Sequence, residues 1–115
     1  MLPAVIRLQA PELLFDPSIL GIDCISLPEM IDLSTQAVEL EMRSELRQNI
    51  ILSGGTSMLE GMEDRIKIEM IQKVPKGKNV KVVASEDRKH AVWKGASTLA
   101  SLSTFSSCWV SRDEY

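Results

Sequence analysis

Asn49-Ile50-Ile51-Leu52-Ser53-Gly54-Gly55-Thr56-Ser57-Met58-Leu59-Glu60-Gly61 joins an apolar run, two glycines and the start of a helical pattern in one continuous unit. It reads as strand, tight turn, helix. Ile50 to Leu52 lack the polar alternation of a half-wet strand, which predicts a central strand covered on both faces, as in α/β sheets. Gly54 and Gly55 carry no Cβ, so the backbone is free to take positive φ there and its amides are open to close approach. Ligands of α/β sheets sit at the carboxyl ends of strands, which makes this turn the candidate site. It is not a P-loop, because the G-x-x-x-x-G-K-[ST] spacing and its lysine are missing, and it is not G-x-G-x-x-G.

Downstream, Met62, Ile66, Met70 and Val74 recur every four residues and predict a helix over 62–74, with Ile71 widening its stripe. Pro75 to Asn79 is a loop, and Val80 to Ala84 is a β-branched strand. Strand, helix, strand spells a βαβ crossover. Ser85-Glu86-Asp87 opens a further helix bearing Ala91, Val92, Ala96, Leu99, Ala100 and Leu102, in which Gly95 points to close packing against another backbone. Phe105, Trp109 and Val110 follow as apolar anchors, and Ser111 to Glu114 resembles the capped start of a last helix.

Upstream, Ala4 to Leu8 reads as a short strand, and Pro11 takes the first helical position of a turn that ends at Asp16-Pro17. Pro28 to Ala37 reads as a helix with Met30, Ile31 and Leu33 as apolar members. A second helix spans Glu39 to Gln48, with acids first and arginines last to suit the helix dipole, and with Leu40, Met42 and Leu46 as buried candidates. With no repeat or linker, the chain reads as one compact piece.

The 115 residues carry a formal net charge of -3, which argues against nucleic-acid binding, since phosphate neutralisation needs a basic face. Arg7 and Glu12 spoil any signal peptide, and no apolar run approaches the roughly 18 residues of a transmembrane helix. A soluble protein without membrane contact is expected. Cys24 and Cys108 match no C-x-x-C spacing and read as reduced thiols of a cytosolic or nuclear compartment. His90, the only histidine, is assigned to the surface or to packing. Lys73, Lys76, Lys78 and Lys81 form a basic cluster without aromatics, the mark of a solvated loop. Glu39 and Glu41, two apart on a helix, face different ways and form no acid/base pair.

The chain resembles the actin family. The resemblance rests on Pro11-Glu12-Leu13-Leu14-Phe15, Pro17 to Gly21, Asn49 to Met58, Gly61 with Asp64-Arg65, Arg88-Lys89, Val92-Trp93, Leu99 to Phe105, Trp109 and Glu114-Tyr115. These motifs run without a gap from Pro11 to Tyr115. The fold class it implies is α/β, part of the actin-like ATPase fold and incomplete on its own. Residues 1–90 would belong to the large-lobe α/β subdomain, and 91–115 would form the last helices of its neighbour. The Ser-Gly-Gly-Thr turn of that family lies beside the phosphates and ribose of an adenine nucleotide, implying Gly54, Gly55 and Thr56 here. Met58 would line the nucleoside, with Lys89 near the adenine. Leu59 stands where the family usually has a tyrosine, and His90 replaces another. Thr98, Leu99, Leu102, Thr104 and Cys108 correspond to an apolar cleft where partner helices dock.

The family's two earlier phosphate loops, with their cation-holding aspartates, have no counterpart in these residues, and neither does its water-positioning glutamine. No catalytic residue and no metal ligand is therefore expected, and the chain alone would bind no divalent cation. ATP or ADP is expected only with the missing portion of the fold. The expected role is that of a structural, cytoskeletal segment with protein partners, in the cytoplasm or nucleus. The alternative is a nucleotide-independent scaffold subunit of a cytoplasmic, ciliary or chromatin-linked complex.

Overall fold

A computed structural model describes residues 9–115, so the strand expected at Ala4 to Leu8 lies outside the described residues. Residues 9–12 are helical, so the turn begins before Pro11 rather than at it. Asp16 then caps a short 3-10 turn, Pro17–Leu20, by accepting from the Ser18 N–H at 3.1 Å. Helix α1, Leu27–Gln36, starts where expected: Ser26 is its N-cap and Pro28 sits in its first turn. Helix α2 spans Leu40–Arg47. Arg43 of α2 donates to the carbonyls of Val38 and Gln36 at 3.0 and 2.9 Å, binding the two helices through their connector.

Strands β1, Ile50–Ile51, and β2, Val82–Val83, pair in parallel with Ile50 opposite Val82. Between them runs α3, Met62–Lys73, which completes the βαβ crossover. Its four-residue stripe is the core. Ile66 and Met70 are fully buried, Met62 and Val74 nearly so, and they pack with Val80, Val82, Ile50 and Leu52. Gly61, at φ 75°, supplies the left-handed residue that starts α3 without a side-chain cap.

The expectations fail where they asked for cover on a second side. Ile51 is 72% exposed, so β1 is covered on one face only: Ile50 and Leu52 face the core and Ile51, between them, faces out. The reason is that, among the described residues, the two-stranded sheet has a single crossover helix and nothing to lay on its other face. Leu40, Met42 and Leu46 are exposed on α2, as are Met30 and Leu33 on α1 and Ile71 on α3. Helix α4 begins at Ala91, later than Ser85-Glu86-Asp87 suggested, and buries none of its residues. No heavy atom lies within 4 Å of a Cβ built on Gly95, so nothing described packs closely there. A 3-10 turn, Ser103–Ser107, follows, and Phe105 meets Trp109 edge-on at 5.3 Å while Trp109 and Val110 stay exposed. At the end, Glu114 accepts from the Ser111 N–H at 2.9 Å, which is a capping contact on a turn rather than on a helix.

The piece is not compact. Its radius of gyration is 18.3 Å, against about 13 Å for a compact chain of this length. It exposes 9071 Å², where a folded monomer of this mass exposes about 6,300 Å². Size exclusion and thermal melting of the 115 residues alone are expected to give a broad or association-linked transition. A sharp melt as a monodisperse monomer would contradict the picture of unsatisfied apolar faces.

Candidate phosphate-binding turn

Strand β1 ends at Ile51, and after Leu52 and Ser53 the chain turns back through Gly54 at φ 93°. Gly55 does not share that conformation: it is right-handed, at φ -62° and ψ -42°, and leads into a 3-10 turn, Thr56–Met58. The α-helix starts at Met62, as its four-residue spacing predicted, so the glycines lead into a 3-10 turn and not directly into an α-helix N-terminus. What the turn presents instead is bare backbone amides.

Four hydrogen bonds set the turn. The Gly54 N–H donates to the Arg88 carbonyl at 2.9 Å, and the Ser57 hydroxyl donates to the Gly54 carbonyl at 2.7 Å. Arg88 reaches back with its side chain: Nε donates to the Ser57 carbonyl and Nη1 to the Ser85 carbonyl, each at 2.9 Å. The N–H groups of Gly55 and Thr56 find no acceptor among the described residues. A Cβ built on Gly55 would meet no heavy atom within 4 Å. The outer side of the turn is thus an open pair of donors.

The expected ligand residues fall into two groups. Gly54, Gly55, Thr56 and Met58 share the turn, and Lys89 joins them through its neighbour Arg88; Gly55, Thr56, Met58 and Lys89 are exposed. Leu59 departs from them, lining a hollow with Glu12, Phe15 and Arg65. There Arg65 forms a two-pronged pair with Glu12 at 2.7 and 3.1 Å, meets Glu69 at 2.9 Å and lies over the Phe15 ring. The hydrogen bonds that it donates to Glu12 and then Glu69 raise its pKa above the ordinary arginine value. Thr98, Leu99, Leu102, Thr104 and Cys108 are exposed along α4 and the 3-10 turn after it, with no facing wall among the described residues.

Ser57 and Arg88, which shape the turn, are the residues that sequence reading did not single out. Arg88 stood next to Lys89 in a recognised motif, but a contact across 31 residues has no local signal. Lys73, Lys76, Lys78 and Lys81 are exposed, in keeping with a solvated loop, and His90 is exposed just ahead of α4. Cys24 and Cys108 are free. Among the described residues no cluster of metal-ligating side chains occurs, and no helix is long and apolar enough to cross a membrane.

Comparison with known proteins follows the same span. The family model described as Actin matches residues 4–115. The chain is 43% identical over 108 residues to actin-like protein 9 of Bos taurus, and equally so to that of Homo sapiens. These alignments take in 93% of this chain and 26% of each relative, so the chain spans about a quarter of the length of the curated relatives it matches.

Two outcomes follow from the turn. Gly54→Ala should lower the urea midpoint, at a cost of about 1–2 kcal/mol for the left-handed conformation, whereas Gly55→Ala should be neutral or stabilise by up to about 1 kcal/mol. Equal effects would disprove the assigned backbone. Lys94 pairs with Asp87 and holds its carboxyl below the usual aspartate range. A depressed carboxyl contributes above its unfolded pKa, and that contribution is lost as pH falls through the folded one. Carbon chemical shifts should therefore report a low midpoint for Asp87 that returns to normal in Lys94→Met.

Proposed function

This chain belongs to the actin family, and on that footing we propose that it supplies one wall of an adenine-nucleotide cleft and surfaces on which protein partners dock. The observation that carries the reading is the pair of open amides at Gly55 and Thr56, beside a glycine whose missing side chain serves no contact within the chain. Phosphate oxygens suit such donors, since each accepts an N–H that otherwise meets only water. Met58 would line the nucleoside, and Lys89 would lie near the adenine.

The role is structural. With no catalytic residue and no metal ligand of its own, the chain would hold ATP or ADP only together with further parts of an actin fold, and a divalent cation would be held by those parts. The bare faces of β1, α1 and α2 support the same view, because several hundred Å2 of uncovered apolar surface forfeits several kcal/mol at about 25 cal/mol per Å2. Thr98, Leu99, Leu102, Thr104 and Cys108 would form part of a groove for a partner helix. We place the protein in the cytoplasm, with the cytoskeleton, or in the nucleus, without nucleic-acid or membrane partners.

One observation favours a second reading, that of a nucleotide-independent scaffold subunit in a larger complex. Leu59, where the family's tyrosine would help cover adenine, turns to the hollow at Glu12 and Arg65 and offers neither ring nor hydroxyl.

Binding of ATP or ADP to the purified assembly separates the two. Gly55→Asp is the informative control, because the right-handed backbone and open space at Gly55 admit the side chain without strain. The first reading expects binding that weakens by at least about ten-fold in Gly55→Asp, through repulsion of phosphate by a carboxylate. No binding by the unmodified protein supports the scaffold.

A further inference from the structure

We propose that Arg88 is the positioning residue of the nucleotide wall, ordering the glycine turn so that the Gly55 and Thr56 amides face outward before a ligand arrives. This rests on the nucleotide-cleft reading above. Among the described residues, Arg88 is the one outside the turn that grips it at both ends. Its carbonyl accepts from the Gly54 N–H at 2.9 Å, and its Nε donates to the Ser57 carbonyl at 2.9 Å. Nη1 is anchored on the Ser85 carbonyl at 2.9 Å, so the guanidinium is fixed to its own loop while it holds the other. Buried Ser57 closes the frame through its hydroxyl bond to Gly54.

The consequence is that the segment between the two grips has its ends fixed and its donors free. A loop already in its binding conformation loses less entropy when the ligand binds. Lysine cannot reproduce the arrangement, since an ammonium on a flexible stem lacks the planar fork that spans two carbonyls.

The test uses the purified protein in its assembly, with ADP as the probe and amide exchange measured without nucleotide. Arg88→Ala is expected to weaken ADP binding by about ten-fold and to speed Gly54 exchange by a similar factor, the loss of roughly one charge-assisted hydrogen bond. Amides of α3 should keep their protection. Arg88→Lys should recover only part of the loss, and Ser57→Ala should weaken binding in the same direction. Unchanged ADP affinity in Arg88→Ala overturns the proposal, and so does a loss that comes with α3 deprotection, which would make Arg88 merely structural. Absence of ADP binding in the unmodified protein refutes the cleft reading and the phosphate role with it. Gly54 exchange that ignores Arg88→Ala refutes the positioning of the turn independently of nucleotide.

Discussion

The packing of α3 on the two parallel strands is the contact on which everything else depends. A parallel pair cannot be closed by a tight hairpin and needs a crossover, and here the crossover helix also gives the strands their main hydrophobic floor among the described residues. Met62, Ile66, Met70 and Val74 meet Val80, Val82, Ile50 and Leu52 to form that floor. Because β1 is held by this contact and by its register with β2, its carboxyl end has a fixed position, and the glycine turn inherits it.

The same contact explains what stays bare. One helix covers one face, so alternate residues of β1 divide into covered Ile50 and Leu52 and uncovered Ile51. Helix α1 leans on the edge of the core through Leu27 and Ile31, and α2 is joined to it by the Arg43 bonds to the Gln36 and Val38 carbonyls. Between them, Asp32 and Arg47 stand 3.9 Å apart with side chains 15% and 11% exposed, too distant for a hydrogen bond. Asp32 Oδ1 and Arg47 Nε have no partner among the described residues. Such a poorly satisfied pair adds little stability, so the helix pair depends on the core below it.

Sequence reading succeeded where a periodic signal reported a contact made inside the chain. The four-residue spacing of the α3 stripe and the β-branched run at Val80 to Ala84 pointed to the crossover, and Pro28 pointed to the start of α1, whose Ser26 cap only the structure shows. It failed where hydrophobicity was equated with burial. Leu40, Met42, Leu46, Val92 and Leu99 have the right character and the right spacing, but burial needs a second surface, and the pattern of one segment does not say where that surface comes from. The glycine turn was legible in outline only. That Gly54 alone takes positive φ, and that Arg88 rather than a helix N-terminus shapes the site, are tertiary facts, set by a loop that returns 31 residues later.

The division of labour between the two glycines bears on what the turn is for. Gly54 is explained by the fold, since its left-handed backbone reverses the chain and its amide is consumed by Arg88. Gly55 is not, because any residue adopts its conformation and nothing inside the chain occupies the space of a Cβ. A glycine that neither backbone geometry nor packing among the described residues requires leaves room for an approach from outside, and an open amide there suits an acceptor. In the family reading the acceptor is a phosphate. Leu59 bears on the other end of such a ligand: it lines a hollow with Phe15 and Arg65, and in that reading it would offer the base neither ring nor hydroxyl.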